Sequence, residues 1–215
     1  MSAGQDWPAS WQLLEHGIRS GRYIDPGFAR LEHEKLWGQV WQVAARLDEV
    51  PEPGDYTVYE IGSESVIIVR VDEDTVKAFN NACPHRGTAL AQGCGHFEKE
   101  RIICPFHGWR WSIDGAVQYV LERDQFHDGK LQDGDVSLRE LPLETWAGFI
   151  FINFAKEPRS FDDFIAPVRT LVEDLAIGDM HHIWWKSVEA PANWKVALEA
   201  FLEGYHVPAT HPQLE

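Results

Sequence analysis

Two short segments, each with one cysteine and one histidine, constrain the fold of this chain more than any other feature. The first runs Cys83-Pro-His85 and the second Cys104-Pro-Phe-His107, with eighteen residues between His85 and Cys104. A glycine follows each histidine directly or after one residue, and the prolines and glycines together shape tight turns. A fold has to bring two such turns together before their sulfur and nitrogen atoms can bind one group.

The four side chains of these segments suit two kinds of metal site. Cys83 and Cys104 can bind one iron of a 2Fe-2S cluster while His85 and His107 bind the other. The same set could bind zinc tetrahedrally in a structural module. Zinc sites usually separate a cysteine pair from a histidine pair, whereas here the two types are mixed within each segment. The mixture favours the cluster.

A third cysteine lies in Cys94-Gly-His96, only ten residues before Cys104. This segment lacks the proline and the Arg-Gly context of the other two. We therefore interpret Cys94 as an ordinary loop or core thiol and His96 as a surface histidine. Three cysteines are too few for a disulfide framework, which suits a reducing compartment.

The two segments resemble the ligand loops of the Rieske family, and two details indicate a branch. The cytochrome bc branch carries an extra cysteine in each loop, but here Arg86 and Phe106 stand near those places. Trp109 follows the second His-Gly where that branch has a serine that donates a hydrogen bond and raises the potential. The resemblance is thus to Rieske non-haem iron aromatic-ring-hydroxylating oxygenases, whose cluster of lower potential delivers electrons towards oxygen chemistry.

A second group of candidate ligands, Glu203, His206 and His211, lies near the end of the sequence. The pattern of residues 193–205 predicts a helix in which Glu199, Glu203 and His206 share one face, ended by Pro208. Two histidines brought together after that point could begin a facial triad of two histidines and one carboxylate for Fe(II). From the residues alone, a solvated helix face is the more common explanation of such a motif, because acids and histidines on a helix are usually solvated or hydrogen-bonded.

The run from residue 193 to 212 resembles the start of the catalytic domain of Rieske oxygenase α subunits. The resemblance covers nearly the whole chain from about residue 20. It implies that His206 and His211 bind a mononuclear iron and that Glu203 is the inter-subunit electron-transfer bridge between a cluster histidine of one protomer and an iron-binding histidine of the next. A homotrimer follows, with or without β subunits. Ala200 stands where many members have asparagine.

The family's third iron ligand is a carboxylate far downstream, so we expect it beyond residue 215. By this expectation the 215 residues are an N-terminal fragment of a longer α subunit. Such a fragment would assemble the cluster without turning over substrate.

The predicted fold is α+β: an all-β Rieske 2Fe-2S domain of small antiparallel sheets, followed by the beginning of an α+β helix-grip catalytic domain. The expected divisions are an N-terminal helical segment at 1–37, the Rieske domain at 38–155 and the catalytic domain from 156 to 215. Short β-branched or aromatic runs separated by turn residues predict strands, and apolar residues at helical spacing predict helices. The predicted strands are 41–45, 56–61, 66–71, 75–79, 101–104, 109–112, 116–120, 137–143, 148–154 and 182–189, and the predicted helices are 27–37, 161–175 and 193–205.

The charge of the chain limits its partners. Nineteen Lys and Arg against 34 Asp and Glu give a net charge of -15, which disfavours nucleic acid and anionic membrane surfaces. The first residues lack the basic start and apolar core of a secretory signal, and no stretch is apolar enough to span a membrane. We expect a cytoplasmic protein.

The resemblance implies the terminal oxygenase component of a multicomponent system. Electrons from NAD(P)H would pass through a reductase, with or without a ferredoxin, to the cluster and on to the mononuclear iron, which activates O2. The product would be a hydroxylated or dihydroxylated organic compound, aromatic by family prevalence, as in aromatic hydrocarbon catabolism. Two alternatives stay open: a Rieske-type electron carrier without oxygenase activity, and a zinc-binding structural module.

Overall fold

The computed structural model describes residues 8–214, apart from the side chains of residues 127 and 212. The first seven residues of the predicted N-terminal segment lie outside this range. The described residues contain thirteen strands: β1 (Leu13–Leu14), β2 (Gly17–Ile18), β3 (Gln42–Arg46), β4 (Asp55–Ile61), β5 (Glu64–Arg70), β6 (Val76–Asn80), β7 (Cys94–His96), β8 (Arg101–Ile103), β9 (Arg110–Ser112), β10 (Val117–Tyr119), β11 (Glu140–Leu141), β12 (Leu143–Trp146) and β13 (Phe149–Ile152).

Six α-helices lie within the same residues: α1 (Gly21–Ile24), α2 (Pro26–Glu32), α3 (Asp133–Val136), α4 (Phe161–Val172), α5 (Trp194–Ala200) and α6 (Val207–Thr210). A π-helical turn at His33–Trp37 continues α2, and a 3-10 turn at Glu173–Leu175 continues α4. Predicted helices 27–37 and 161–175 are therefore confirmed. In the described part of the chain, no helix has the length and apolar character needed to cross a lipid bilayer.

The described residues form two compact units: Trp37–Trp184 is one, and the chain up to Leu36 together with the chain from Trp185 onward is the other. The first unit holds three antiparallel sheets, with strand orders β11-β6-β5-β4-β7, β10-β9-β8 and β12-β13-β3. The prediction of an all-β domain built from small antiparallel sheets is confirmed.

Strand β5 shows why the five-stranded sheet lies at the centre of this unit. Its side chains alternate between two cores, as successive residues of a strand must. Ile67 and Val69 face the core that contains the cysteines of both metal-binding segments, and Val66 and Ile68 face the core shared with β13. All four are fully buried, which explains why this run is continuously apolar.

The Asp-Gly pair that predicted a hairpin joins β9 to β10. Gly115 has φ +91, and a Cβ atom there would lie 2.5 Å from Cε1 of Phe79. Only glycine fits this turn, for both conformational and steric reasons.

Residues 182–189, predicted as a strand, do not belong to any sheet of the described residues. The pattern is apolar, but Ile183, Trp184 and Val188 are exposed by 85%, 74% and 87%. A strand is stabilised by a paired neighbour and by burial of one face, and this segment has neither within residues 8–214. The strand prediction was therefore wrong.

The helix predicted over residues 193–205 is also corrected. Helix α5 ends at Ala200, so Glu199, Glu203 and His206 do not share one helix face. Pro208 does not end a helix but lies in the first turn of α6, where no intrahelical donor is needed.

Residues 8–36 pack on α5 through polar contacts. Nζ of Lys195 lies 2.7 and 2.9 Å from the two carboxylate oxygens of Glu32. The hydroxyl of Tyr23 donates to Glu199 at 2.8 Å, and the side chain of Asn193, which caps α5, donates to the Tyr23 carbonyl at 2.9 Å. These bonds tie both ends of the helix to the N-terminal part of the chain.

Candidate metal centres

The two Cys/His segments, called the first arm (residues 83–88) and the second arm (residues 104–109), share one backbone geometry. In each, the cysteine carbonyl accepts from the glycine N–H four residues on, at 2.8 Å from Gly87 and 3.0 Å from Gly108. The cysteine N–H donates to the carbonyl five residues on, at 2.8 and 2.9 Å. Gly87 and Gly108 have φ of +72 and +69, a conformation that favours glycine.

The histidines occupy different places on these matching turns. His85 is the second residue after its cysteine and His107 the third. The two imidazoles nevertheless meet: Nδ1 of His85 lies 3.2 Å from Nδ1 of His107, and the ring centroids are 4.8 Å apart with the planes tilted at 52°. Two nitrogen donors therefore lie side by side at the ends of two loops.

The two cysteines form a second, deeper pair. Cys83 and Cys104 are 4% and 1% exposed, and their thiols are within hydrogen-bonding reach of each other. Burial raises the pKa of Cys83, and backbone N–H groups of His85 and Arg86 that point at the sulfur act in the opposite direction. The sulfur atom thus already faces donors that would stabilise a thiolate.

The donors are arranged as a sulfur pair and a nitrogen pair. Among the described residues, no three His, Cys, Asp or Glu side chains surround one metal position. A mixed-ligand 2Fe-2S cluster takes two thiolates on one iron and two imidazoles on the other, and these four residues fit that division.

Aromatic rings enclose His85. Trp109 stacks on the imidazole with centroids 5.0 Å apart and planes at 8°, and Phe126 approaches edge-on at 5.8 Å. The pKa of His85 is lowered, first by burial and then by the neighbouring His107 and Arg86. The neutral imidazole, which is the ligating form, is therefore favoured.

Asn81 closes the loop that carries the first arm, a role that sequence reasoning missed. Its Oδ1 accepts from the N–H groups of Leu90 and Ala91 at 2.8 and 3.0 Å, and its Nδ2 donates to the Ala91 carbonyl at 2.8 Å and to Ser65 Oγ at 3.0 Å. The residue is 6% exposed. The only sequence signal is an asparagine at a strand end, which is common in loops generally.

The third cysteine lies on strand β7 at the edge of the five-stranded sheet. Cys94 is exposed on this strand, so it is neither a loop residue nor a core thiol as expected. His96 is a surface residue as expected, and its Nδ1 lies 2.9 Å from Oδ1 of Asp55.

Glu203, His206 and His211 come together by a turn and not by a helix face. Nδ1 of His206 lies 2.6 Å from Oε1 of Glu203, and the backbone N–H groups of Tyr205 and His206 donate to the other carboxylate oxygen. The rings of His206 and His211 have centroids 5.4 Å apart, at 75°. The hydrogen bond from His206 and the two backbone donors lower the pKa of Glu203. With Nδ1 engaged, Nε2 of His206 is the nitrogen available to a metal.

Comparison with known protein families gives two matches along the chain. The Rieske [2Fe-2S] domain matches residues 40–139, a range that contains both arms. The catalytic domain of the ring-hydroxylating alpha subunit matches residues 177–215, a range that contains Glu203, His206 and His211. These two domains imply a Rieske cluster and a mononuclear iron.

Curated relatives align over most of the chain. The glycine betaine monooxygenase oxygenase subunit of Chromohalobacter salexigens is 30% identical over 93% of this chain and 44% of its own length. The carnitine monooxygenase oxygenase subunit of Acinetobacter pittii is 32% identical over 84% of this chain and 49% of its own length. The chain thus spans about half the length of the curated relatives it matches.

Solved structures agree with these relatives. The quaternary ammonium Rieske monooxygenase CntA in complex with L-carnitine superposes with a TM-score of 0.80 at 29% identity, covering 91% of this chain and 55% of that one. Naphthalene 1,2-dioxygenase from Rhodococcus sp. gives a TM-score of 0.78 at 26% identity, covering 92% and 46%. With a Rieske domain followed by an α-subunit catalytic segment, the chain belongs to the Rieske oxygenase α-subunit family.

Proposed function

We propose that this chain is part of the terminal oxygenase component of a multicomponent Rieske oxygenase. Cys83 and Cys104 bind one iron of the 2Fe-2S cluster, and His85 and His107 bind the other. The observation that carries the proposal is the 3.2 Å approach of the two histidine Nδ1 atoms beside two buried, adjacent thiols. A single zinc ion would need all four donors around one point.

His206 and His211 supply two ligands of the mononuclear iron, and Glu203 is the acid through which electrons reach it. The 2.6 Å contact with Glu203 holds the His206 ring in one orientation and one tautomer, with Nε2 directed to the metal. The iron, when bound, supplies the site at which O2 is activated. A third carboxylate ligand is required, and we place it in the remainder of the catalytic domain.

The electrons come from NAD(P)H through a separate reductase, with or without a ferredoxin. Because the acid serves both metal centres across a protomer boundary, the working assembly is a trimer, with or without β subunits. For the division of the chain, we retain a Rieske domain over 38–155 between a helical segment (1–37) and catalytic residues (156–215). The matched ranges 40–139 and 177–215 are compatible with that division.

For the substrate, we propose a quaternary ammonium compound that is monooxygenated. The curated relatives are named for glycine betaine, carnitine and choline, and these names do not support the expectation of aromatic hydrocarbon catabolism. An aromatic substrate is the second candidate, because naphthalene dioxygenase shares the fold at 26% identity. Product analysis with betaine, carnitine, choline and naphthalene, using a protein that contains this chain and the rest of the catalytic domain, separates the two classes.

The cluster is tested first, on the 215-residue chain itself. Anaerobic reconstitution with iron and sulfide should give a brown protein whose EPR signal appears on reduction. Cys104→Ser should abolish the colour, and Cys94→Ser, the matched control on an exposed cysteine, should retain it. A colourless protein that binds one zinc through the same residues would contradict the proposal and support the structural module.

A further inference from the structure

The two histidines of the nitrogen pair have different surroundings. His85 lies in a corner of two rings, with the face of Trp109 parallel to it at 5.0 Å and the edge of Phe126 at 5.8 Å and 88°. His107 is contacted by the ring of Phe106, at a centroid distance of 4.3 Å and an angle of 56° between the planes, and Phe106 is 61% exposed. Both histidines are half-buried, but the ring beside His107 is exposed, whereas the ring stacked on His85 is buried.

Trp109 is itself held in place. It is 3% exposed, its carbonyl accepts the N–H of Cys104 at 2.9 Å, and Phe126 packs edge-on against its indole at 5.6 Å and 86°. The indole belongs to the second arm but supports the imidazole of the first. Its backbone is fixed beside Cys104, and burial together with the contact with Phe126 restricts the indole, so Trp109 connects the two arms.

The two aromatic rings around His85 affect how easily a 2Fe-2S cluster bound by the two arms can accept an electron. A 2Fe-2S cluster with two thiolates and two neutral imidazoles gains one negative charge when it takes up one electron, and no ligand bond breaks. Water stabilises that extra charge, and a buried apolar wall does not. The face of an aromatic ring also carries partial negative charge, which disfavours a further negative charge nearby.

We propose that Trp109 is a positioning residue that fixes the His85 ring and, together with Phe126, keeps the reduction potential of the cluster low. The inference rests on the proposed function, because it requires the cluster to be bound by the arms. It goes beyond the absence of a hydroxyl donor at position 109, since it assigns the low potential to the packed ring itself.

The test compares four variants of the reconstituted 215-residue chain: Trp109→Phe, Trp109→Ala, Phe126→Ala and Trp41→Ala. Each is equilibrated with redox dyes and dithionite at one fixed potential, and the reduced fraction is read from the visible spectrum. Trp109→Ala should raise the ratio of reduced to oxidised cluster about threefold or more, because water enters the corner. Trp109→Phe keeps a stacked ring and should stay near wild type. Trp41 is a buried tryptophan of a different core, so its replacement should leave the ratio unchanged.

The EPR g-values of the reduced form give a second measurement, because they report on the orientation of the histidine ligands. They should shift in Trp109→Ala and not in Trp41→Ala. If Trp109→Ala does not fold, Phe126→Ala decides: a raised ratio supports the inference and an unchanged one overturns it. A brown Trp109→Ala protein with the wild-type ratio and g-values overturns the inference alone, whereas a colourless wild-type protein overturns the proposed function and the inference with it.

Discussion

Nδ1 of His206 lies 2.6 Å from a carboxylate oxygen of Glu203, three residues earlier in a turn that follows α5. The contact leaves one nitrogen of His206 for a metal and keeps the carboxylate ionised, since it lowers the pKa of Glu203. This pair is the point at which the proposed electron path enters the mononuclear iron site.

Replacing Glu203 tests that path in a protein that contains this chain and the rest of the catalytic domain. Glu203→Ala should lower product formation roughly 100-fold or more, because the ligand orientation and the bridge are both lost. Reduction of the cluster by the reductase should survive, as measured by its visible spectrum. Glu189→Ala, at an exposed acid, is the control and should keep near-normal turnover. Unimpaired product formation by Glu203→Ala would contradict the role assigned to Glu203. If the protein is only an electron carrier, neither the wild type nor either variant would form product.

Because Asn81 closes the loop of the first arm, replacing it should lower the amount of cluster that the chain binds. Asn81→Asp removes the two hydrogen bonds that Nδ2 donates and places a charge at a buried position. The folded conformation of the loop should be destabilised by about 2–4 kcal/mol. Iron and labile sulfide per folded chain should fall sharply. The matched control is Asn153→Asp, at a fully buried asparagine bonded to Gln39 and Ala155. Equal cluster content in the two variants would show that Asn81 has no special role.

The ion pair between Lys195 and Glu32 should contribute measurably to stability. Its side chains are only 16% and 13% exposed, so Lys195→Met leaves a largely buried carboxylate without its cation and should cost about 2 kcal/mol. Arg169→Gln breaks a pair with Asp162 whose side chains are 47% and 83% exposed, and it should cost less than about 0.5 kcal/mol. Urea unfolding of both variants compares them directly. Similar midpoints would mean that burial does not strengthen the first pair.

The turn between β9 and β10 predicts a pH dependence. The Ser112 hydroxyl and the backbone N–H of Ala116 donate to Asp114 and lower the pKa of that carboxyl. The bonds favour the ionised form in the folded state, so their stabilisation is complete above the ordinary aspartate pKa and is lost as the pH falls through the lowered one. Ser112→Ala should therefore raise the Asp114 pKa towards its ordinary value, as followed by carboxyl NMR titration. An unchanged titration would assign the effect to the backbone donor alone.

Several features could be derived from local pattern because their cause is local. The Asp-Gly turn needs the positive φ of Gly115, and the continuously apolar run in β5 needs burial of both faces. Each requirement acts within a few neighbouring residues. Pattern therefore placed most strands of the Rieske domain correctly.

Other predictions were wrong where distant parts of the chain decide the outcome. Residues 182–189 have a strand pattern, but a strand forms only where a partner lies beside it. The helix expected over residues 193–205 ends at Ala200, because the Glu203 carboxylate accepts hydrogen bonds from backbone N–H groups and so favours a turn over the continuing helix. Strand β7 was missed since only its pairing with β4 makes it a strand.

The sequence by itself determined the donor set: two cysteines and two histidines on matching proline-glycine turns, and an acid with two histidines further on. These follow from residue type and spacing, which are properties of short segments. Tertiary structure alone decided that the two histidine nitrogens lie 3.2 Å apart, that Asn81 closes the first arm and that Trp109 of one arm supports His85 of the other. Such contacts join residues on different loops, and their energies depend on burial and ring geometry that only the packed chain creates.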